Sequence, residues 1–234
     1  MRLRQLGIAG LILLSQAIWA TASTNVLPGK KAEPAPATVI SLDSISPQKR
    51  DQVRQLLEKP VLAVKGPTET FFAQPEHYQY FLEHPDRAVV AWRRVGAKCV
   101  SITERGQGLF VWADDQGSEM IWETVFQGPG VRVWYAEGKV RPAALMPLVS
   151  VRGLVVMRHS ESKTPDGASV ITHQADLFAM TDSKTAATVT RLLGPSANRM
   201  AEQGLGQLQL FFSALCGYLD RHPEQATKLL KRGD

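Results

Sequence analysis

The sequence predicts an α+β domain in which six or seven antiparallel strands form one curved sheet around a long C-terminal helix. Three observations carry this. Between residues 97 and 182 the β-formers Val100, Ile102, Phe110, Trp112, Ile121, Trp122, Val125, Val131, Val133 and Tyr135 are separated by short glycine-bearing turns at 105–108, 114–117 and 127–130, a spacing that suits a meander. Two longer strand patterns follow at 148–159 and 169–180, joined by a turn at 163–167 that contains Pro165, Asp166 and Gly167. Finally, Leu208, Phe211, Phe212, Leu215 and Leu219 recur at three- and four-residue steps, which gives a helix a wide apolar face to lay on the sheet.

Taken from the N-terminus, residues 1–22 read as a signal peptide. Arg2 and Arg4 precede an apolar run from Leu6 to Leu14, and Ala20 and Ala22 form a small-residue cleavage site. A membrane span needs about twenty apolar residues, so this run is short for one, and an uncleaved N-terminal anchor is the lesser alternative. No cysteine near the cleavage site offers a lipid attachment. The expected product is periplasmic or secreted, with no stable membrane insertion after the leader is removed. Residues 23–45, rich in Pro, Ala and Lys over their first part, read as a flexible linker. Ser46 is the expected N-cap of a short helix over 46–60, with Pro47 in its first turn, Val53, Leu56 and Leu57 as its apolar stripe and Pro60 as its stop.

The main domain is placed at 61–222. A first strand begins at Val61, and its extended parts run on through Thr68, Thr70 and Phe72. Two short helices follow, opened by Pro75 and Pro85 and closed at Gly96. After the meander, Asp182 is an N-cap for a helical stretch running to about Arg221, interrupted at Gly194-Pro195. Gly204 and Gly206 weaken that helix unless something approaches it closely. Residues 223–234 read as a basic tail, expected to fray.

Composition bounds the function. The 234 residues carry 27 Lys and Arg against 22 Asp and Glu, a formal charge of +5, which falls to +3 once the two leader arginines are gone. That is too mild for a nucleic-acid partner. A chain of this size buries close to 70% of its unfolded surface in one core, so one domain needs no staples. Cys99 and Cys216 are the two cysteines. Export would let them form one bridge, and two small buried thiols are the plainer reading. Neither has a cysteine or histidine neighbour at zinc-ligand spacing, so no metal is expected.

The order strand, two short helices, antiparallel strands and long C-terminal helix, from about Val61 to Arg221, resembles that of the START-like or SRPBCC superfamily, whose fold is called helix-grip. The segments 91–96, 134–138 and 174–182 are similar to those of uncharacterised exported bacterial proteins. The resemblance implies a cavity between sheet and helix for a sterol, lipid, polyketide or other apolar small molecule, bound without a cofactor. Function does not follow from fold alone. The residues such a cavity would draw on are Phe110, Trp112, Trp122, Trp134, Phe178, Leu208, Phe212 and Leu215, although ordinary core packing explains the same residues. Because side chains alternate along a strand, Phe110 and Trp112 share a face, whereas Trp134 and Tyr135 cannot.

Other candidates are weaker. His159 and His173 lie on neighbouring long strands, where Glu123 or Asp176 would complete an acid–base pair. Ser118, Ser150 and Ser213 have no nucleophile motif around them. Glu119, Glu123 and Glu137 would act in a cyclase- or hydrolase-like enzyme if they were buried, since desolvation raises a carboxyl pKa. Arg87, Arg93 and Arg94 form a basic group suited to an anionic headgroup or simply to a helix surface. Three functions therefore stand: a carrier of an apolar molecule, an enzyme acting in the same cavity, and an interaction protein whose core is filled.

Overall fold

The computed structural model describes residues 40–97, 99–141, 147–181 and 196–230. The expected leader, most of the linker, the Asp182 cap and the Gly194-Pro195 break lie outside these residues. The domain is α+β, with eight antiparallel strands where six or seven are expected. The difference arises at the start. The first extended segment is two strands, β1 (Leu62–Lys65) and β2 (Glu69–Phe72), parted at Gly66-Pro67. Pro67 has no N–H to give to a ladder. Both pieces pair with β8 (Ser169–Thr181), one after the other along its length.

Two short helices follow as expected, α2 (Pro75–Glu83) and α3 (Pro85–Arg94), each with proline in its first turn. The meander is β3 (Ile102–Glu104), β4 (Leu109–Ala113), β5 (Glu119–Gly128) and β6 (Val131–Val140), continued by β7 (Val149–Lys163). The sheet order is β1–β8–β7–β6–β5–β4–β3, with β2 also on β8. At the β5–β6 turn Gly130 has φ 67°, and any Cβ there would strike the His159 carbonyl oxygen, so only glycine fits. The long helix α4 spans Ser196–Arg221.

Three expectations about the chain's margins are corrected. Ile45, assigned to a flexible linker, is only 1% exposed and sits in the core, its segment held by Arg50, which donates to the carbonyl oxygens of Leu42, Asp43 and Ile45. Ser46 stands at the N-cap of α1 (Pro47–Glu58), but its side chain makes no capping bond. The tail expected to fray carries a helix, α5 (Pro223–Leu230), whose Leu229 is buried and whose last carbonyls at Lys228 and Leu229 accept from Arg94 Nη1. Arginine at a helix C-terminus satisfies carbonyls that have no partner within the helix.

The sheet is covered on both sides. Its inner face, formed by Trp134, Val155, Met157, Ile171 and Ala175, packs against Tyr78, Phe81, Leu82 and Val89 of α2 and α3 and against Leu205, Phe211, Phe212, Leu215 and Leu219 of α4. Its outer face, formed by Val131, Val133, Tyr135, Leu154 and Val156, packs on Ile45 and on Val53 and Leu56 of α1. Each large apolar side chain fully buried in these layers contributes roughly 1.5–3 kcal/mol. Cys216 is buried in the inner core, Cys99 lies at its margin, and both are free thiols. No helix among the described residues is long and apolar enough to cross a membrane.

Candidate ligand site on the inner sheet face

Strand register sorts the inner face into rows, because residues paired across antiparallel strands point to the same side. One row reads Trp112, Met120, Gly138, Val151, Thr181 from β4 to β8, and the next reads Phe110, Trp122, Ala136, Gly153, Ala179. A third holds Thr124, Trp134, Val155 and Leu177. The middle row thus begins with two stacked aromatics, Phe110 and Trp122 with ring centroids 5.8 Å apart, and continues as three very small residues. Ala136, Gly153 and Ala179 leave a trough across β6, β7 and β8, flanked by larger side chains. A Cβ added at Gly153 would meet only the Phe178 carbonyl oxygen, at 3.8 Å.

Helix α4 runs along β1, β2 and β8. Gln209 Nε2 donates to the Pro67 carbonyl oxygen at 2.7 Å, and eight residues later Gly217 stands near the Phe72 carbonyl oxygen. The first half of α4 is therefore directed toward the Leu62–Ala179 pair, at the trough's end of β8. There the helix carries Gly204 and Gly206, and a Cβ on either would meet nothing within 4 Å. Between them Leu205 is buried, as are Ala201 and Gln209, and the second half is filled throughout. Phe212 lies parallel to the Trp134 indole, Phe211 packs edge-on to Phe212, and Trp92 Nε1 donates to the Phe211 carbonyl oxygen at 2.9 Å.

The eight expected ligand residues divide accordingly. Phe110, Trp112, Trp122 and Trp134 share the inner face with Leu208, Phe212 and Leu215 of α4, and within that set Trp134, Phe212 and Leu215 are buried in one core cluster. Phe178 does not join them. It pairs with Leu154 and packs with Met180 in the outer layer, so the sheet separates it from any inner-face ligand. Trp134 and Tyr135 take opposite faces, as alternation requires.

On the inner side several buried polar atoms lack partners among the described residues: Trp112 Nε1, Trp134 Nε1 and Thr181 Oγ1, and, farther along β8 beside Gly66, Gln209 Oε1. Trp112 is 3% and Trp134 6% exposed. A buried donor or acceptor left unpaired costs about 1–3 kcal/mol, so four on one side of a sheet need an explanation. A hollow of about 300 Å³ lies at the ends of β6, β7 and β8, lined by Glu137, Gly138, Lys139, Ser150, Val151, Arg152 and Thr181; Glu137, Lys139, Ser150 and Arg152 have the parity of the outer face, so Thr181 is the one residue it shares with this group.

The two histidines do face each other, His159 opposite His173 on the β7–β8 ladder. The acid beside them is neither of the two expected. Glu123 and Asp176 lie on the outer face, where Lys49 bridges Glu123 and Glu137 and where Arg158 pairs with Asp176. Glu69 of β2 takes the role instead. Its Oε2 accepts from His173 Nε2 and from Ser213 Oγ, each at 3.1 Å, and His173 Nδ1 bonds the Tyr78 hydroxyl at 3.0 Å. With Nε2 donating to the carboxylate, Nδ1 is the acceptor and Tyr78 the donor. Burial, together with Cys216 and the Glu69 charge, holds the Tyr78 phenol well above its ordinary range. His159 bonds Gln79 Nε2 through its own Nε2 at 2.7 Å, and burial followed by the nearby His173 and Arg132 charges lowers its pKa to about 4. Glu69 was missed because it pairs with His173 across 104 positions. Its one local trace is that it shares strand parity with Phe71, which marks it as inward-facing.

The remaining candidates are occupied within the fold. Glu119 and Glu137 are on the outer side, the latter accepting from the Tyr135 hydroxyl at 2.8 Å. Ser118 Oγ accepts from the Arg141 backbone N–H. Arg87 pairs with Asp86, Arg93 donates to the Cys99 carbonyl oxygen, and Arg94 closes α5. His84, Asp86 and Glu104 bring possible metal-ligand atoms within 4.8 Å of one another, with one Asp86 oxygen already on Arg87.

No family model matches the chain, and no curated protein matches it. Among solved structures, a conserved protein from Geobacillus kaustophilus aligns over 68% of this chain and 96% of its own, at 14% identity and TM-score 0.42. A hypothetical protein from Helicobacter pylori aligns over 70% of this chain and 92% of its own, at 10% identity and TM-score 0.39. Norcoclaurine synthase from Thalictrum flavum aligns over 64% and 86%, at 12% identity and TM-score 0.32.

Proposed function

We propose that the chain is an exported, START-like binding protein of the helix-grip type that holds an apolar small molecule or lipid between its sheet and α4, without a cofactor. The observation that supports this reading is the small-residue trough Ala136–Gly153–Ala179, flanked by Trp112, Trp122 and Trp134 and set toward a helix half in which Gly204 and Gly206 have no neighbour within 4 Å of a Cβ. Apolar walls with a few convergent polar atoms are the usual make-up of a small-molecule site. The reading is non-catalytic because the Glu69–His173–Tyr78 chain has its bonding atoms engaged with one another, and His173 and Tyr78 are fully buried.

Native mass spectrometry of the purified mature protein, with solvent extraction of whatever copurifies, tests the reading. It is supported by an adduct that extracts as an apolar compound. Saturable binding of the neutral fluorophore N-phenyl-1-naphthylamine, quenching or enhancing tryptophan emission, would be the second sign. Absence of both defeats it and leaves a filled core.

A further inference from the structure

We infer that the ligand of this site is an uncharged, elongated apolar molecule with a hydrogen-bond-accepting oxygen toward each end, held by the indole N–H groups of Trp112 and Trp134. This rests on the reading above and names the ligand's chemistry. Both nitrogens are buried, both sit on the inner face, and neither has an acceptor among the described residues. Tryptophan has one polar atom and can only donate, so what is missing at each is an acceptor. The backbone here is committed to the sheet ladders, and a ligand oxygen would supply the acceptor that each indole lacks.

The spacing of the two tryptophans sets the ligand's shape. Trp112 is in register with Gly138 of β6 by way of Met120, and Trp134 is four residues from Gly138 on that same strand. They are thus two strands and four residues apart, about 10 Å by about 13 Å at ordinary sheet spacing. Midway between them stands Trp122, with Ala136 beside it, while Gly153 and Ala179 lie one and two strands past that of Trp134, so the middle of the ligand meets an apolar indole face. From β4 to β8 the three rows contain no charged side chain, and on β3 the middle row ends in Glu104, whose negative charge repels an anion. A carboxylate or phosphate seated there would lose its hydration without gaining a counter-charge, which excludes an ionised head at either indole.

Three eleven-carbon probes test this by displacement of N-phenyl-1-naphthylamine: undecane, 2-undecanone and 2,10-undecanedione. Affinity should rise about tenfold with each carbonyl, and Trp112→Phe and Trp134→Phe should each lower the ratio of diketone affinity to undecane affinity, measured in the same variant, by about one such factor. Undecanoate should bind more weakly than the monoketone. With mature protein labelled at the indole nitrogen, two of its four tryptophan N–H signals (Trp92, Trp112, Trp122, Trp134) should move downfield on adding diketone but not on adding undecane, a readout that needs no variant. Equal affinity for the three probes, unmoved indole signals, or tightest binding by undecanoate would overturn the inference while the apolar site stands. Failure of undecane and N-phenyl-1-naphthylamine alike to bind would remove the site itself, and this inference with it.

Discussion

The Phe212 ring lies almost parallel to the Trp134 indole, with planes 8° apart and centroids 6.2 Å apart, joining α4 to β6 across the inner core. Phe212 is 2% exposed and its neighbours Phe211 and Leu215 are buried with it. Truncating such a residue leaves a cavity that packed surroundings cannot close. Phe212→Ala should therefore lower stability by about 3–5 kcal/mol, read as a shift of the urea midpoint with unchanged slope. A loss under 1 kcal/mol would mean that the ring borders open space and that the ligand site extends further down α4.

Gly153 and Gly66 make a contrasting pair. A methyl at Gly153 meets ordinary van der Waals distance, whereas one at Gly66 collides with Gln209 Oε1 and the Ala175 carbonyl oxygen. Gly153→Ala should be neutral or stabilise by up to about 1 kcal/mol through lower unfolded-chain entropy. Gly66→Ala should destabilise by at least 1 kcal/mol. Gly153→Leu should fill the trough and abolish fluorophore binding while the thermal midpoint stays within a few degrees. Retained binding in that variant would place the ligand elsewhere.

Stability should fall in mild acid because of His159. Its folded-state pKa is lowered to about 4 from an ordinary 6.5. Between these values the unfolded chain takes up a proton that the folded chain refuses, so stability is lost as pH drops from about 6.5 toward 4 and is flat, for this group, above that window. The loss should be on the order of 1–3 kcal/mol. His159→Gln, which keeps a hydrogen-bonding group for Gln79, should flatten urea midpoints measured from pH 4 to 7. A parallel profile in the variant would assign the acid sensitivity to another group.

Both cysteines are free. Burial raises the Cys216 thiol far above its usual range, and raises Cys99 too, against the opposing pull of Arg93. Reaction requires the thiolate. A disulfide-exchange reagent should leave Cys216 untouched in the native protein and count two thiols after denaturation without reductant. A count of zero would show a bridge between them.

Much of the architecture was legible because secondary structure repeats on a short period. The alternation through β4 to β8, the glycine turns and the three- and four-residue steps of α4 each involve residues a few positions apart, and they gave the meander, the two proline-opened helices and the final helix in the right order. The break at Gly66-Pro67 was visible as residues but was read as one strand, since nothing local says that both halves must follow the same edge of β8.

What alternation could not say is which face of each strand carries the site. The sheet is covered on both sides, by α1 outside and by α2, α3 and α4 inside, so both parities are apolar and the pattern bears no label for inner or outer. Hence the pattern groups Phe178 with Trp134 although Leu154 beside it faces α1, and it offers Glu123 and Asp176 to histidines that lie on the other side. The pairing of Glu69 with His173 spans 104 positions. The sequence by itself determined the periods, and hence the elements and their order. The tertiary structure alone decided which parity faced α4 and which distant carboxylate met His173, because both depend on packing between segments that share no local sequence.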